Sequence, residues 1–182
     1  MATVDDETLR TTALAFWRYA HDYLRTARTL CMQHRLLCSE AQVSYHLAAQ
    51  ALEFALKAFL RAAGIAADVL RNEVRHSLPR ALAHAEAAGL PSLPVNAQRA
   101  IARIAPHHQD EAFVHVKPTH DGYPDLEPLF SAAHALLHAT APAVARDYST
   151  RFARGGSPSA DELVQRLRAD LEATAGEGLA FA

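Results

Sequence analysis

The stretch from about Glu40 to Ala63 constrains the fold more than any other. Its apolar residues fall on two helical lines, Val43, Leu47, Ala51, Phe54 and Ala58 on one and Tyr45, Ala49, Leu52, Leu56 and Leu60 on the other. Together these lines cover most of a helix's circumference, and a helix that apolar needs other helices on nearly every side. Ser39-Glu40-Ala41-Gln42 has the Ser-x-x-Gln spacing of a capping box before it, and Gly64 suits the position just past its end. Composition agrees: 39 Ala and 23 Leu stand against only 3 Ile and 9 Val, which excludes an extensive sheet. The 182 residues suffice for one domain, or one domain plus a tail.

The flanking text supplies the neighbours. A stripe of Leu9, Ala13, Phe16, Ala20, Tyr23, Ala27, Leu30 and Leu37, widened by Trp17 and Leu24, predicts a long amphipathic helix over about Thr8 to Leu37. Residues 65 to 76 read as a connector with a short helical turn around Ala67 to Glu73. Ser77 then caps a third helix with Pro79 in its first turn, buried through Leu78, Leu82 and Ala85 and ended by Gly89. Asn96 caps a fourth, Ala97 to Ala105, which Pro106 stops. Pro106 to Pro124 carries no helical stripe and reads as a long loop. A helix resumes near Leu126, with Pro142 expected to kink or split it, and continues through Val144 and Tyr148. After the break at Gly155-Gly156-Ser157-Pro158, Ser159-Ala160-Asp161-Glu162 forms another capping box. It opens a final helix to about Ala173, whose narrow stripe of Leu163, Leu167 and Leu171 needs a partner surface. The expectation is an all-α fold, an antiparallel four- to five-helix bundle over residues 8–154, with a linker, an additional C-terminal helix and a tail over 155–182.

Several function classes drop out. A formal net charge of −2 denies the basic field of a dedicated duplex-DNA binder. No apolar run is long enough for a transmembrane helix, so no membrane partner is expected. Asp5, Asp6 and Glu7 at the start are unlike a secretory signal, and a cytoplasmic location is expected. Cys31 and Cys38, about 10 Å apart along a helix, are too distant for a disulfide and read as small buried hydrophobes. His107, His108, His115 and His120 with Asp110, Glu111 and Asp121 lack the spacing of a known zinc site. His134 and His138, four apart on a helix, read as packed or solvated neighbours. Neither a metal nor another cofactor is expected. Trp17, Tyr19 and Tyr23 read first as core, or as a base-stacking platform if their rings prove exposed.

Tyr45 to Leu60, read with His76-Ser77-Leu78-Pro79-Arg80-Ala81-Leu82, resembles the HEPN domain (higher eukaryotes and prokaryotes nucleotide-binding). In that family an alanine-rich central helix carries a Glu and, four residues on, a Lys, and a His-polar-Leu step opens the next helix. Ala49, Glu53, Leu56, Lys57, His76, Leu78 and Leu82 fall on matching positions, and the resemblance spans about residues 8 to 150. It implies a bundle of four or five helices, often a homodimer, that binds a nucleotide, RNA or a protein partner such as a nucleotidyltransferase in a toxin–antitoxin-like pair. In its nuclease members an Arg, four to six residues and a His act across a dimer cleft. Such metal-independent RNA cleavage needs a base for the ribose 2′-OH and a cation for the developing phosphorane charge.

Glu53 and Lys57 are spaced for a helical ion pair with the acid first. That pair is read either as structural or, beside other helices, as orienting His76. Glu53, Lys57 and His76 are therefore candidate ligand-binding residues, with His115 and Lys117 added as loop residues able to reach phosphate. Three stretches fit an Arg-to-His spacing (Arg28 to His34, Arg71 to His76, Arg103 to His108), and chance alone supplies about three in so Arg- and His-rich a chain. Position in the bundle makes Arg103 and His108 the best-placed catalytic candidates, although Pro106 lies between them and His108 is expected to enter the loop. Three readings follow: a binding module, a metal-independent endoribonuclease acting through Arg103 and His108 with His76 as the other candidate, and a structural helical adaptor.

Overall fold

In the computed structural model, residues 11–33, 38–109, 126–152 and 157–176 are described. Among them are seven α-helices and no strand, so the all-α expectation holds. They are α1 (Ala13–Gln33), α2 (Cys38–Ala62), α3 (Ala67–Val69, running into a π-helical turn over Leu70–Val74), α4 (Leu78–Ala87), α5 (Val95–Gln109), α6 (Leu126–Phe152) and α7 (Ala160–Gly176). No helix among the described residues is long and apolar enough to cross a membrane.

The doubly apolar helix lies where its pattern demands. α2 packs against α1, α4, α5 and α6, and Ala48, Ala49, Leu52, Ala55, Leu56, Ala58 and Leu60 are wholly removed from solvent. Alanine at these positions lets neighbouring backbones approach closely, while the leucines fill the space between them. α6 closes the other side through Leu129, Ala133, Leu136, Leu137, Ala141 and Val144, touching α1, α2, α5 and α7. α7 finds its partner surface on α6, and its Leu163, Leu167 and Leu171 join the same core. His21 of α1 reaches α7 at Thr174, with Nε2 2.9 Å from Oγ1.

Local chemistry sets most of the helix ends. At Gly64 (φ +91°) the amide of Ile65 reaches back to the Leu60 carbonyl (3.0 Å) and that of Gly64 to Arg61 (3.1 Å), the paired bonds of a Schellman motif. Gly89 (φ +88°) ends α4 the same way, through Leu90 to Ala85 (2.9 Å). Ser77 caps α4 by accepting from the Arg80 amide. At α7 the capping box closes in both directions: Glu162 accepts from the Ser159 amide (2.8 Å), and Ser159 Oγ accepts from the Glu162 amide (3.2 Å). A cap not foreseen is Thr12, whose Oγ1 accepts from the Ala15 amide.

Four expectations need correction. Helix α5 does not stop at Pro106; it starts at Val95, so Asn96 sits inside its first turn, and it runs through the proline to Gln109. Pro106 lacks only the hydrogen bond to the Ala102 carbonyl and lies on the exposed side, so tertiary contacts beyond it can carry the helix on. α6 is likewise one helix of 27 residues across Pro142, so the proline does not split it. Helix α1 begins at Ala13, where Thr12 caps it, so Thr11 and Thr12, expected within it, are not part of it; residues 8–10 and 34–37 lie outside the described residues. Cys31 is half-buried, not buried. The capping-box side chains at Ser39–Gln42, apart from Gln42 itself, and the side chain of Cys38 lie outside the described residues, as does residues 110–125 of the expected loop.

A buried carboxylate that gathers three cation-forming groups

Glu53 sits in the middle of α2 with its side chain 1% exposed. An uncompensated carboxylate there would be strongly disfavoured, so its partners define the site. One helical turn on, Lys57 projects from the same face and places Nζ 2.5 Å from Oε1, with only 11% of its side chain exposed. This is a desolvated ion pair, unlike the solvated surface pairs contributing a few tenths of a kcal/mol. Nζ also lies 5.9 Å from the centre of the Phe54 ring, a cation–π contact.

The other two partners arrive from different elements. His108, in the last turn of α5 past Pro106, is 3% exposed and sets Nε2 2.6 Å from Glu53 Oε2. His76 stands just before the α4 cap with Nδ1 3.1 Å from Oε1. It follows Arg75, the one non-glycine residue with positive φ (+53°) among those described, at the exit of the π-helical turn that buried Leu70 and Val74 anchor. That unfavourable backbone value turns the chain so that the His76 ring meets the carboxylate.

Charge fixes the proton positions. Burial pushes the Glu53 pKa up, but the hydrogen bond from His108 and the nearby Lys57 ammonium outweigh it, and the net result is a pKa of about 2. Glu53 is therefore ionised at neutral pH and can only accept, so His108 Nε2 and His76 Nδ1 are both donors. With Nδ1 so engaged, Nε2 is the second nitrogen of the His76 ring, and 76% of that side chain is open to water. A buried carboxylate holding an exposed imidazole in one tautomer presents the ring as a hydrogen-bonding or proton-exchanging group.

His46, two helical turns before Glu53, belongs to the same neighbourhood: burial lowers its pKa, the like charge of His108 lowers it further, and Glu53 opposes both. It is a residue the sequence analysis missed, although its seven-residue spacing from Glu53 places the two on one side of the helix. The segment that supplies both site histidines is basic. Residues 67–109 hold five arginines (Arg71, Arg75, Arg80, Arg99, Arg103) against Asp68, Glu73 and Glu86, in a chain whose net charge is −2.

The structure thus brings together Glu53, Lys57, His76 and His108, and separates Arg103 from them. Arg103 is exposed while His108 is buried, because five residues of α-helix turn the two about 140° apart. His115 and Lys117 lie outside the described residues. Among those described, no group of three or more His, Cys, Asp or Glu is arranged to hold a metal ion. Trp17 is core, whereas Tyr19 and Tyr23 flank Phe54 at ring distances of 5.8 and 5.5 Å, with Tyr19 exposed. No family model, no curated protein and no solved structure matches this chain.

Proposed function

We propose that the chain is a HEPN-like binding module whose ligand is the phosphate-bearing part of a nucleotide or of RNA, taken at the exposed ring of His76. The observation that carries this reading is the make-up of the cluster: one buried carboxylate meets a lysine and two imidazoles, one of them open to water, and residues 67–109, which supply both histidines, hold five arginines against three acids. Lys57 and His108 are turned onto the carboxylate, which leaves the exposed Nε2 of His76 as the contact; with that ring protonated, Nε2 donates to an anion. The partnerships implied by the family resemblance, a homodimer and a nucleotidyltransferase in a toxin–antitoxin-like pair, belong to the same proposal.

The test is fluorescence anisotropy with a labelled single-stranded oligoribonucleotide, together with chemical-shift titration of the His76 ring by AMP. Saturable binding that weakens roughly tenfold in His76→Ala, with the His76 ring signal moving, is the expected result. Binding equal in wild type and His76→Ala, or none in either assay, overturns the reading.

One observation favours a second reading, the metal-independent endoribonuclease. Glu53 fixes His76 with Nδ1 donating, the arrangement in which the opposite ring nitrogen accepts a proton from a hydroxyl. The base in that reading is His76, and Arg103 has no part in it. Incubation of wild type, His76→Ala and His108→Ala with a mixed RNA pool in EDTA decides it: equal, background-level degradation by all three removes the nuclease.

A further inference from the structure

A second concavity lies apart from the Glu53 cluster and shares no residue with it. It is a groove of about 670 Å³ where the end of α2, the end of α4 and the second half of α6 meet, within the size range of small-molecule sites. Its apolar surface comes from Phe59, Ala62, Ala139, Pro142 and Ala143, and Arg146, Asp147 and Arg151 stand along α6 at its polar end.

The charges there are uneven. Asp147 is buried to 8% exposure and accepts from Arg151 Nε at 2.5 Å. That bond uses only one of the three guanidinium nitrogens, and Arg151 is about half exposed. The Arg146 guanidinium is exposed and makes no hydrogen bond or ion pair among the described residues. Arg61 lies close enough to be affected by both members of the pair: burial lowers its pKa, the like charge of Arg151 lowers it further, and Asp147 and Asp68 act against this. Within the groove, Arg146 and Arg151 thus stand against one carboxylate, Asp147, beside an apolar floor, and the charge in surplus is positive.

We propose that this groove binds a small organic anion with an apolar body, of the class of a medium-chain carboxylate, its chain lying on Phe59, Pro142 and Ala143 and its head group between Arg146 and Arg151. The planar guanidinium matches a carboxylate through paired N–H donors, and an apolar body without the charge would leave Arg146 and the two remaining nitrogens of Arg151 unused. This site is independent of the reading given to His76.

The experiment is titration of the full chain with sodium octanoate, octanol and octyltrimethylammonium below their micelle concentrations, by calorimetry and by amide chemical shifts. Octanoate is expected to bind one per chain and to shift the amides of Gly89, Ala143 and Thr150, at least about tenfold more tightly than the alcohol or the cation. Arg146→Gln removes a guanidinium with no partner to lose, so it should fold normally and weaken octanoate about tenfold. Arg151→Gln should do the same if its melting curve stays cooperative. His76→Ala should leave octanoate binding unchanged. Equal binding of octanoate and octanol, unchanged affinity in Arg146→Gln, shifts elsewhere in the chain, or no saturable binding at all would each overturn the proposal.

Discussion

Replacing Glu53 by Gln tests the architecture of the cluster. The substitution keeps the shape of the side chain and removes its charge, leaving the Lys57 ammonium buried beside a neutral amide and depriving His108 of its carboxylate. Two independent routes give the cost. Breaking a buried ion pair from one side typically destabilises by about 3–5 kcal/mol. The fall of the Glu53 pKa from an ordinary 4.5 to about 2 corresponds to about 3 kcal/mol favouring the ionised folded state. For a domain of this size that is a drop of roughly 6–12 °C in Tm. The pH dependence has a definite sign. The folded pKa lies below the unfolded one, so the contribution is fully present above about pH 4.5 and disappears as pH falls toward 2. Urea titrations followed by far-UV circular dichroism should therefore show Glu53→Gln about 3 kcal/mol less stable than wild type at pH 7, with the gap closing in acid. Adding Lys57→Met should recover part of the loss, because no buried ammonium is then left alone. A gap under about 1 kcal/mol at pH 7, or one that does not change with pH, would refute the assignment of Glu53 as the ionised centre of the cluster.

Three smaller changes probe how the site is built. Pro106→Ala restores an amide donor to the Ala102 carbonyl and should stabilise the fold by about 1–2 kcal/mol in urea, after allowing for the freer unfolded chain; destabilisation would mean that α5 depends on the proline's geometry. Arg75→Gly relieves the positive φ and should gain about 0.5–1 kcal/mol, a loss of stability speaking against strain at that residue. Ser159→Ala opens the α7 capping box and should cost about 1 kcal/mol, read as faster hydrogen exchange at the amides of Glu162 and Leu163; unchanged exchange would deny the cap its role.

Where local chemistry decided the outcome, the sequence was legible. Gly64, Gly89, Ser77 and the Ser159/Glu162 box sit at the boundaries expected of them, since each satisfies backbone groups only a few residues away. The central place of α2 was legible too, because a helix apolar all round has few alternatives. Glu53, Lys57 and His76 were read together from a family likeness, and they do meet. What could not be read was His108 as their fourth member. The rule for proline ends a helix at Pro106, and it fails here because the contact holding the next turn joins residues 55 positions apart. Within one chain Arg103 and His108 do not meet, for a local reason: on one continuous helix their spacing points the side chains apart.

Trp17 gives the protein a built-in optical gauge. It is the only tryptophan in the chain, it is sealed in the interior, and its indole donates to the Leu137 carbonyl at 3.0 Å across the seam between α1 and α6. Its emission colour thus reports whether that seam is dry, independently of how much helix remains. A state that preserves its helical spectrum while losing tight packing would show itself by a red-shifted glow alone.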